Sequence, residues 1–251
     1  MAIMALLTLG MALAFCAVHI FVGRLRFLDV KPRSRWLSFA GGVAVGYVFL
    51  HLLPELASHG ATFRTATGLS TVLAEAAVYT LSLIGLVLFY GLERAVATSR
   101  KNQAKEGARP QPLPGIFWLH TGASAVLGAI VAYLLNHREG GLEAGLWLYF
   151  GALLLHFVTA DFAARANYPD LYDRAGRWML VAATLIGWGL GRVVELPPLL
   201  IGFLFAFVGG AIILVVMKEE LPEERESVFW PFLVGAGTYA GLVLWEIYIT
   251  G

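Results

Sequence analysis

Eight stretches of about 20 mostly apolar residues recur along this chain, and their repetition limits the fold more than any other feature. An α-helix of about that length crosses the roughly 30 Å hydrocarbon core of a bilayer. Only 14% of the residues are charged, whereas about a quarter is usual in soluble domains. The sequence therefore predicts an all-α integral membrane protein with a single domain of eight transmembrane helices. The predicted spans are 2–23, 36–57, 71–92, 115–136, 142–164, 177–196, 198–217 and 229–249.

The positions of the basic residues predict the orientation of these spans. Of the 18 Lys and Arg residues, 15 fall in or beside the first, third, fifth and seventh loops. Cytoplasmic loops retain such residues, so we expect both termini outside a plasma (inner) membrane. The third loop, 93–114, is predicted to be a long cytoplasmic segment. The basic residues follow the apolar stretch 2–23 and do not precede it, so we expect a retained span and not a cleaved signal peptide.

Composition also argues against several classes of function. The formal net charge of +1 gives no clustered positive surface, so nucleic acid is not an expected partner. Cys16 is the only cysteine, which excludes an intramolecular disulfide and a cysteine-based metal cluster. Glycines four residues apart, such as Gly237 and Gly241, indicate close helix packing. The expected partners are the lipid bilayer and, from the candidate ligands described below, a divalent metal ion, with a homodimer left open.

Two predicted spans resemble each other. Gly41 and Gly42 precede Leu53-Pro54-Glu55 at the spacing by which Gly209 and Gly210 precede Leu221-Pro222-Glu223. By the charge count, the second span runs outward and the seventh runs inward, so the repeat of spans 1–3 and 6–8 is inverted. Inverted repeats are a signature of secondary transporters. Coincidence between two glycine-rich helices is the alternative.

Polar residues are predicted in the inner half of the membrane on the fourth and fifth spans. An ionisable group in hydrocarbon costs a few kcal/mol and marks a functional site by default. Imidazole and carboxylate groups at one depth are suitable ligands for Zn²⁺ or a similar divalent ion. The candidate metal ligands are His120, Thr121, Ser124, His156 and Asp161.

A structural role for these residues is the alternative interpretation. Positions 156 and 161 are separated by about 140° around a straight helix, so His156 and Asp161 would not readily share one ion. Each histidine would then form a hydrogen bond with a neighbouring helix. Asp161 would pair with Arg165, four residues further along. The sequence leaves both interpretations open.

A second polar group is predicted at the outer end of the second span. His51, Glu55 and His59 recur every four residues on one helix face, and Glu75 begins the third span on the same side. Pro54 is expected to kink this helix, and His59 is expected to be in water. We predict that His51, Glu55 and Glu75 recruit cations to the mouth of a pathway. A solvated helix end is the alternative.

Parts of the second and seventh spans resemble the ZIP (Zrt/Irt-like) family of divalent metal transporters. The matching segments are Gly41-Gly42-Val43 through His51-Leu52-Leu53-Pro54-Glu55, and Gly209-Gly210 through Glu220-Leu221-Pro222-Glu223-Glu224. The eight spans, the outward termini and the long third loop are also similar to this family. The resemblance implies a secondary carrier that moves Zn²⁺ or a similar cation, with no bound cofactor and no enzymatic activity.

The resemblance also implies a metal site on the fourth and fifth spans, where the family carries His-Asn-x-x-Glu-Gly and His-Glu-x-Pro-x-Glu. This chain has His120-Thr121-Gly122-Ala123-Ser124-Ala125 and His156-Phe157-Val158-Thr159-Ala160-Asp161. Both histidines are kept, and the last acid is kept as an aspartate. Ser124 replaces the acid of the fourth span. The resemblance therefore implies one reduced metal site and not a two-metal centre.

Two other functions remain open at this point. A member without transport activity would serve as a membrane subunit or sensor, and a dry gap between the fourth and fifth spans would favour it. An intramembrane zinc hydrolase needs about three protein ligands and one open coordination position. His51, His120 and His156 would supply those ligands only if the helices were strongly bent.

Overall fold

The computed structural model describes residues 2–25, 35–105, 113–137, 143–220 and 228–250, and these residues are helical almost throughout, without strands. A short 3-10 turn, Val22–Arg24, follows the first helix. Two π-helical turns, Val48–Leu52 and Tyr172–Gly176, join α2 to α3 and α7 to α8. The helices are α1 (Ala2–Phe21), α2 (Arg35–Tyr47), α3 (Leu53–Thr67), α4 (Thr71–Lys105), α5 (Pro114–Leu134), α6 (Glu143–Asn167), α7 (Pro169–Leu171), α8 (Arg177–Val193), α9 (Pro198–Glu220) and α10 (Phe229–Thr250).

Within the described residues, seven helical segments are long and apolar enough to cross a bilayer. They correspond to every predicted span except the sixth, 177–196, which forms the 17-residue helix α8. The chain leaves this helix at Val194 in an extended conformation, because a helix does not continue into Pro197 and Pro198. The all-α class is confirmed, and a multi-pass membrane protein is indicated. The count of eight spans stays a prediction.

The second predicted span belongs to a longer helical segment that runs from Arg35 to Thr67. Its π-helical turn contains His51 and ends just before Leu53 and Pro54. Proline has no amide hydrogen, and its ring clashes with the carbonyl four residues earlier. A locally wider turn accommodates both effects. The segment ends at Gly68, whose φ of 71° is the left-handed conformation that favours glycine.

The third predicted loop begins later than expected. The prediction placed residues 93–114 in this loop, but α4 continues to Lys105. Residues 93–105 contain no glycine or proline and are rich in alanine, lysine and arginine, which favour helix. Glu93 therefore lies on a helix, and its position is fixed by the packing of that helix.

The described helices form two groups by their closest packing. In the first group, α8 packs against α1 and α5, and α1 also packs against α6. In the second group, α10 packs on α2, α9 packs on α4, and α3 packs on both α4 and α9. The groups meet where α6 lies against α2 and where α5 contacts α4 and α9.

Four glycines bring helices of the second group into direct backbone contact. In each case, a Cβ added to the glycine would overlap a backbone carbonyl oxygen of the facing helix. The contacts are Gly42 with Phe232, Gly235 with Phe39, Gly210 with Ser82, and Gly85 with Phe207. Small residues permit this approach in membranes, where lipid provides no hydrophobic drive for helix association. The α2–α10 and α4–α9 pairs are therefore tightly packed units.

Candidate functional site

A polar cavity lies where the two groups of helices meet, and it contains all five predicted metal ligands. His120, Thr121 and Ser124 line it from α5, and His156 and Asp161 line it from α6. The cavity has a volume of about 60 Å³, which is sufficient for several waters. Further polar residues that the sequence did not predict here also line it, namely His19, Glu93, Asn167, Tyr172 and Lys218.

Asp161 pairs with His19 across the first group of helices. The Nδ1 atom of His19 lies 2.6 Å from Oδ2 of Asp161, and both side chains are buried. The other ring nitrogen of His19 lies 3.3 Å from the Thr184 hydroxyl. The Tyr172 hydroxyl donates a hydrogen bond to the His19 carbonyl oxygen at 3.1 Å. This network connects α1, α6 and α8. Sequence reasoning gave His19 no role, and its only signal was that it is ionisable within an apolar span.

The alternative pairing of Asp161 with Arg165 is not what the structure contains. The Nε and Nη2 atoms of Arg165 each lie 2.8 Å from one carboxylate oxygen of Asp173. These two hydrogen bonds lower the pKa of the Asp173 carboxyl, which belongs to the π-helical turn between α7 and α8. Because α6 continues to Asn167, the Arg165 side chain reaches Asp173 in the turn before α8. Asp161 pairs with His19 instead.

Glu93 connects the two groups of helices through its carboxylate. One oxygen, Oε1, lies 3.0 Å from Nε2 of His120 on α5. The other oxygen, Oε2, accepts a hydrogen bond from Nζ of Lys218 on α9. The Glu93 side chain is 17% exposed and that of Lys218 is 37% exposed, so the lysine lies at the open side of the cavity. Sequence reasoning missed both residues because it assigned Glu93 to a loop and counted Lys218 among the loop charges.

His156 lies in the cavity wall without a hydrogen bond from its ring to any residue that the structure describes. Its side chain is buried, and its ring lies 5.8 Å from that of Phe157. The Thr159 hydroxyl bonds to the His156 carbonyl oxygen and leaves the imidazole unused. Of the three cavity histidines, His156 is therefore the one whose ring nitrogens are not engaged by described residues.

The five predicted ligands share a cavity but do not form a closed set. Among the described residues, no three His, Cys, Asp or Glu side chains are close enough together to hold a metal ion. His19 contacts Asp161, and Glu93 contacts His120. The Ser124 hydroxyl donates to the His120 carbonyl oxygen at 3.0 Å. Their role as metal ligands stays a prediction.

The predicted outer group is only partly assembled. The Nε2 atom of His51 lies 3.7 Å from Oε2 of Glu55, and both side chains are largely buried. Glu75 is exposed and lies beside Gly60, further along α3. His51 does not line the cavity that contains His120 and His156. Cation recruitment by His51, Glu55 and Glu75 stays a prediction.

The expectation that His59 lies in water is wrong. Its side chain is buried, with its ring centroid 5.0 Å from that of Phe205 on α9. The physical reason is that α3 continues to Thr67, so His59 is not at a helix end. The neighbouring Gly202 leaves space for the ring.

The geometry therefore identifies a polar cavity, lined by α1, α4, α5, α6, α8 and α9, as the candidate site. Comparison of the chain with family models, with curated proteins and with solved structures finds no match.

Proposed function

We propose that this protein is a carrier of divalent metal cations such as Zn²⁺, similar to the ZIP family, and that the ion passes through the cavity lined by His156. The observation that carries this proposal is the position of the five predicted ligands on one cavity between two helix groups. Neutral imidazole is a common ligand of Zn²⁺. The His156 ring, with no described residue bound to it, is suited to that role.

The proposed site comprises His120, His156 and Asp161, which line one cavity from α5 and α6, with waters completing the coordination of the ion. His19 contacts Oδ2 of Asp161 and so fixes the orientation of the carboxylate, as outer-shell partners of metal ligands do. A site with few protein ligands binds weakly, which suits a carrier because the ion must also leave.

The proposed inverted repeat of spans 1–3 and 6–8 would also be typical of a carrier. The glycine contacts of α2 with α10 have counterparts in those of α9 with α4. Two constant offsets relate them, 168 positions from α2 to α9 and 150 positions from α4 to α10. The matched residues are Gly42 with Gly210, Phe39 with Phe207, Gly85 with Gly235, and Ser82 with Phe232.

Transport would proceed by movement of the first helix group relative to the second. The cavity lies where the groups meet, and the bond between His120 and Glu93 joins them. With both termini outside, as the basic residues predict, Glu93 and Lys218 lie at the cytoplasmic end. We therefore propose that the cavity opens inward in this conformation, in a plasma (inner) membrane.

Uptake into proteoliposomes tests the proposal. Zn²⁺ or Mn²⁺ uptake would be measured for the unsubstituted protein, for His156→Ala and for His120→Ala/His156→Ala. We expect uptake to fall at least about tenfold in both variants, in line with the loss of a metal ligand. His137→Ala is a matched control, because this histidine bonds to the Gly191 carbonyl oxygen away from the cavity. Equal rates for the unsubstituted protein and the double variant would contradict the proposal.

A transport-inactive membrane subunit or sensor is the second candidate. The observation that favours it is the absence of a three-residue metal-binding group among the described residues. Isothermal titration separates the two candidates. Micromolar metal binding that His120→Ala/His156→Ala abolishes would favour the carrier, whereas a protein with neither binding nor uptake would favour the inactive member. Convergence of His51 with His120, which a zinc hydrolase would require, is not found in the cavity.

A further inference from the structure

We infer that Lys218 is a tethered cation that occupies a latent divalent-cation position formed by Glu93 and His120 at the open end of the cavity. The Glu93 carboxylate has two oxygens, and each has a different partner. Oε1 lies 3.0 Å from Nε2 of His120, and Oε2 accepts a hydrogen bond from Nζ of Lys218. The lysine ammonium therefore lies beside the carboxylate, where a free cation would otherwise be attracted.

Glu93 and His120 have side chains of the kinds that bind metal ions. Carboxylate and imidazole are both ligands of Zn²⁺ and of related first-row ions. Glu93 and His120 come from different helix groups, α4 and α5, yet they meet within hydrogen-bond distance. An ion between them would replace their mutual hydrogen bond with two metal–ligand bonds. Glu93 and His120 would supply two ligands and waters would complete the coordination, whereas Lys218 now places a positive charge beside the carboxylate.

The charges that line the cavity explain how Lys218 opposes the binding of a divalent ion at Glu93. Of the residues that the structure describes, Asp161 and Glu93 are the carboxylates that line the cavity, and Asp161 is already paired with the buried His19. The Lys218 ammonium pairs with Glu93. A divalent ion that approaches Glu93 must therefore displace an ammonium held on a flexible four-carbon stem. Repulsion between the Lys218 ammonium and a divalent ion beside Glu93, in a partly buried site, should lower the affinity for that ion by at least about tenfold.

This inference deepens the proposed function and depends on it only for the route of the transported ion. An ion released from His156 would pass the Glu93–Lys218 pair on its way out of the cavity. Lys218 would keep that exit from retaining the ion, because the carboxylate is already neutralised. The latent position itself depends only on the contacts among Glu93, His120 and Lys218.

Titration with Co²⁺, followed by its visible absorption, tests the latent position in the full-length purified protein. Lys218→Met removes the ammonium and keeps the length of the side chain. We expect this variant to bind Co²⁺ at least about tenfold more tightly than the unsubstituted protein, with absorption bands typical of nitrogen and oxygen ligands. Adding Glu93→Gln to Lys218→Met should return the affinity to the level of the unsubstituted protein.

Matched controls separate charge at this position from charge in general. Lys218→Arg keeps the cation and should bind Co²⁺ as the unsubstituted protein does. Lys101→Met removes an exposed lysine further along α4 and should also leave Co²⁺ affinity unchanged. If Lys218→Met does not fold, Lys218→Gln provides the same test, because it removes the charge but keeps a donor for Glu93.

Two results would overturn the inference. One is equal Co²⁺ affinity in the unsubstituted protein and in the folded Lys218→Met or Lys218→Gln variant. The other is tighter binding that survives Glu93→Gln. Absence of metal uptake by the unsubstituted protein would contradict the proposed carrier. It would not affect the inference, because tighter Co²⁺ binding by Lys218→Met is measured separately. The two failures are therefore distinguishable.

Discussion

The carboxylate of Asp161 faces His19 on α1 and not Arg165, which follows it by four residues on its own helix. The 2.6 Å contact joins positions that are 142 residues apart in the chain. It places a polar pair inside the first group of helices, where both side chains are almost completely buried. A buried pair of this kind is costly to break, because the remaining partner has no water to replace the lost contact.

We expect Asp161→Asn to lower the free energy of unfolding by about 1.5–3 kcal/mol, the range for hydrogen bonds to charged groups. His19→Ala should cost a similar amount, and the two effects should be strongly non-additive because the residues are direct partners. Unfolding in detergent would be measured for both single variants and the double variant. Additive effects would show that this contact does not contribute to stability.

Substitutions at the close helix contacts should destabilise the second group. Gly210→Ala would place a methyl group against the Ser82 carbonyl oxygen of α4, an overpacking that costs about 1–3 kcal/mol. Gly91→Ala is the matched control, because an added Cβ at Gly91 has no neighbour within 4 Å. The control should be neutral or slightly stabilising, since alanine favours helix more than glycine does. Thermal unfolding in detergent would compare the two, and equal midpoints would refute the predicted packing.

The ion pair of Asp173 with Arg165 should make a pH-dependent contribution to the free energy of unfolding. The hydrogen bonds from Arg165 lower the pKa of Asp173 in the folded protein. The contribution should therefore be fully present above the unfolded pKa, about 3.9, and lost as the pH falls through the lower folded value. Because both side chains are about one-third exposed, it should not exceed about 1 kcal/mol.

Comparison of Asp173→Asn with the unsubstituted protein in detergent between pH 7 and pH 3 would measure this contribution. The difference in unfolding midpoint should be constant from pH 7 to about pH 5 and should shrink below about pH 4. A difference that does not change with pH would mean that the ionised carboxylate of Asp173 is not what stabilises the fold.

If Glu55 and Glu75 recruit cations, neutralising them should raise the metal concentration needed for half-maximal uptake. Glu55→Gln/Glu75→Gln removes two negative charges near the proposed mouth and leaves the inner cavity unchanged. Because these charges would raise the local cation concentration, the variant should need more external metal for half-maximal uptake at the same maximal rate. Uptake at low ionic strength would show this best, since screening is weakest there. An unchanged half-saturation concentration would show that the two glutamates do not recruit cations.

The candidate site was predictable in its composition but not in its contacts. His120, His156 and Asp161 stand out in sequence because ionisable groups are rare in apolar spans. Glu93 and Lys218 do not stand out, since both lie next to loops that are rich in charge. Only the extension of α4 to Lys105, and the packing of α9 on α4, bring their side chains together.

The sequence by itself determined the all-helical class and the approximate positions of seven long apolar helices, because hydropathy and length act within each segment and need no information from elsewhere. It did not determine the close helix contacts, because an added Cβ at Gly237 or Gly241 has no neighbour within 4 Å, whereas Gly85, Gly210 and Gly235 lie against a facing backbone. Tertiary structure alone decided that Asp161 meets His19 and that Lys218 meets Glu93, pairs separated by 142 and 125 positions. Such pairs depend on how far each helix is rotated about its axis, and that rotation is set by packing against distant helices.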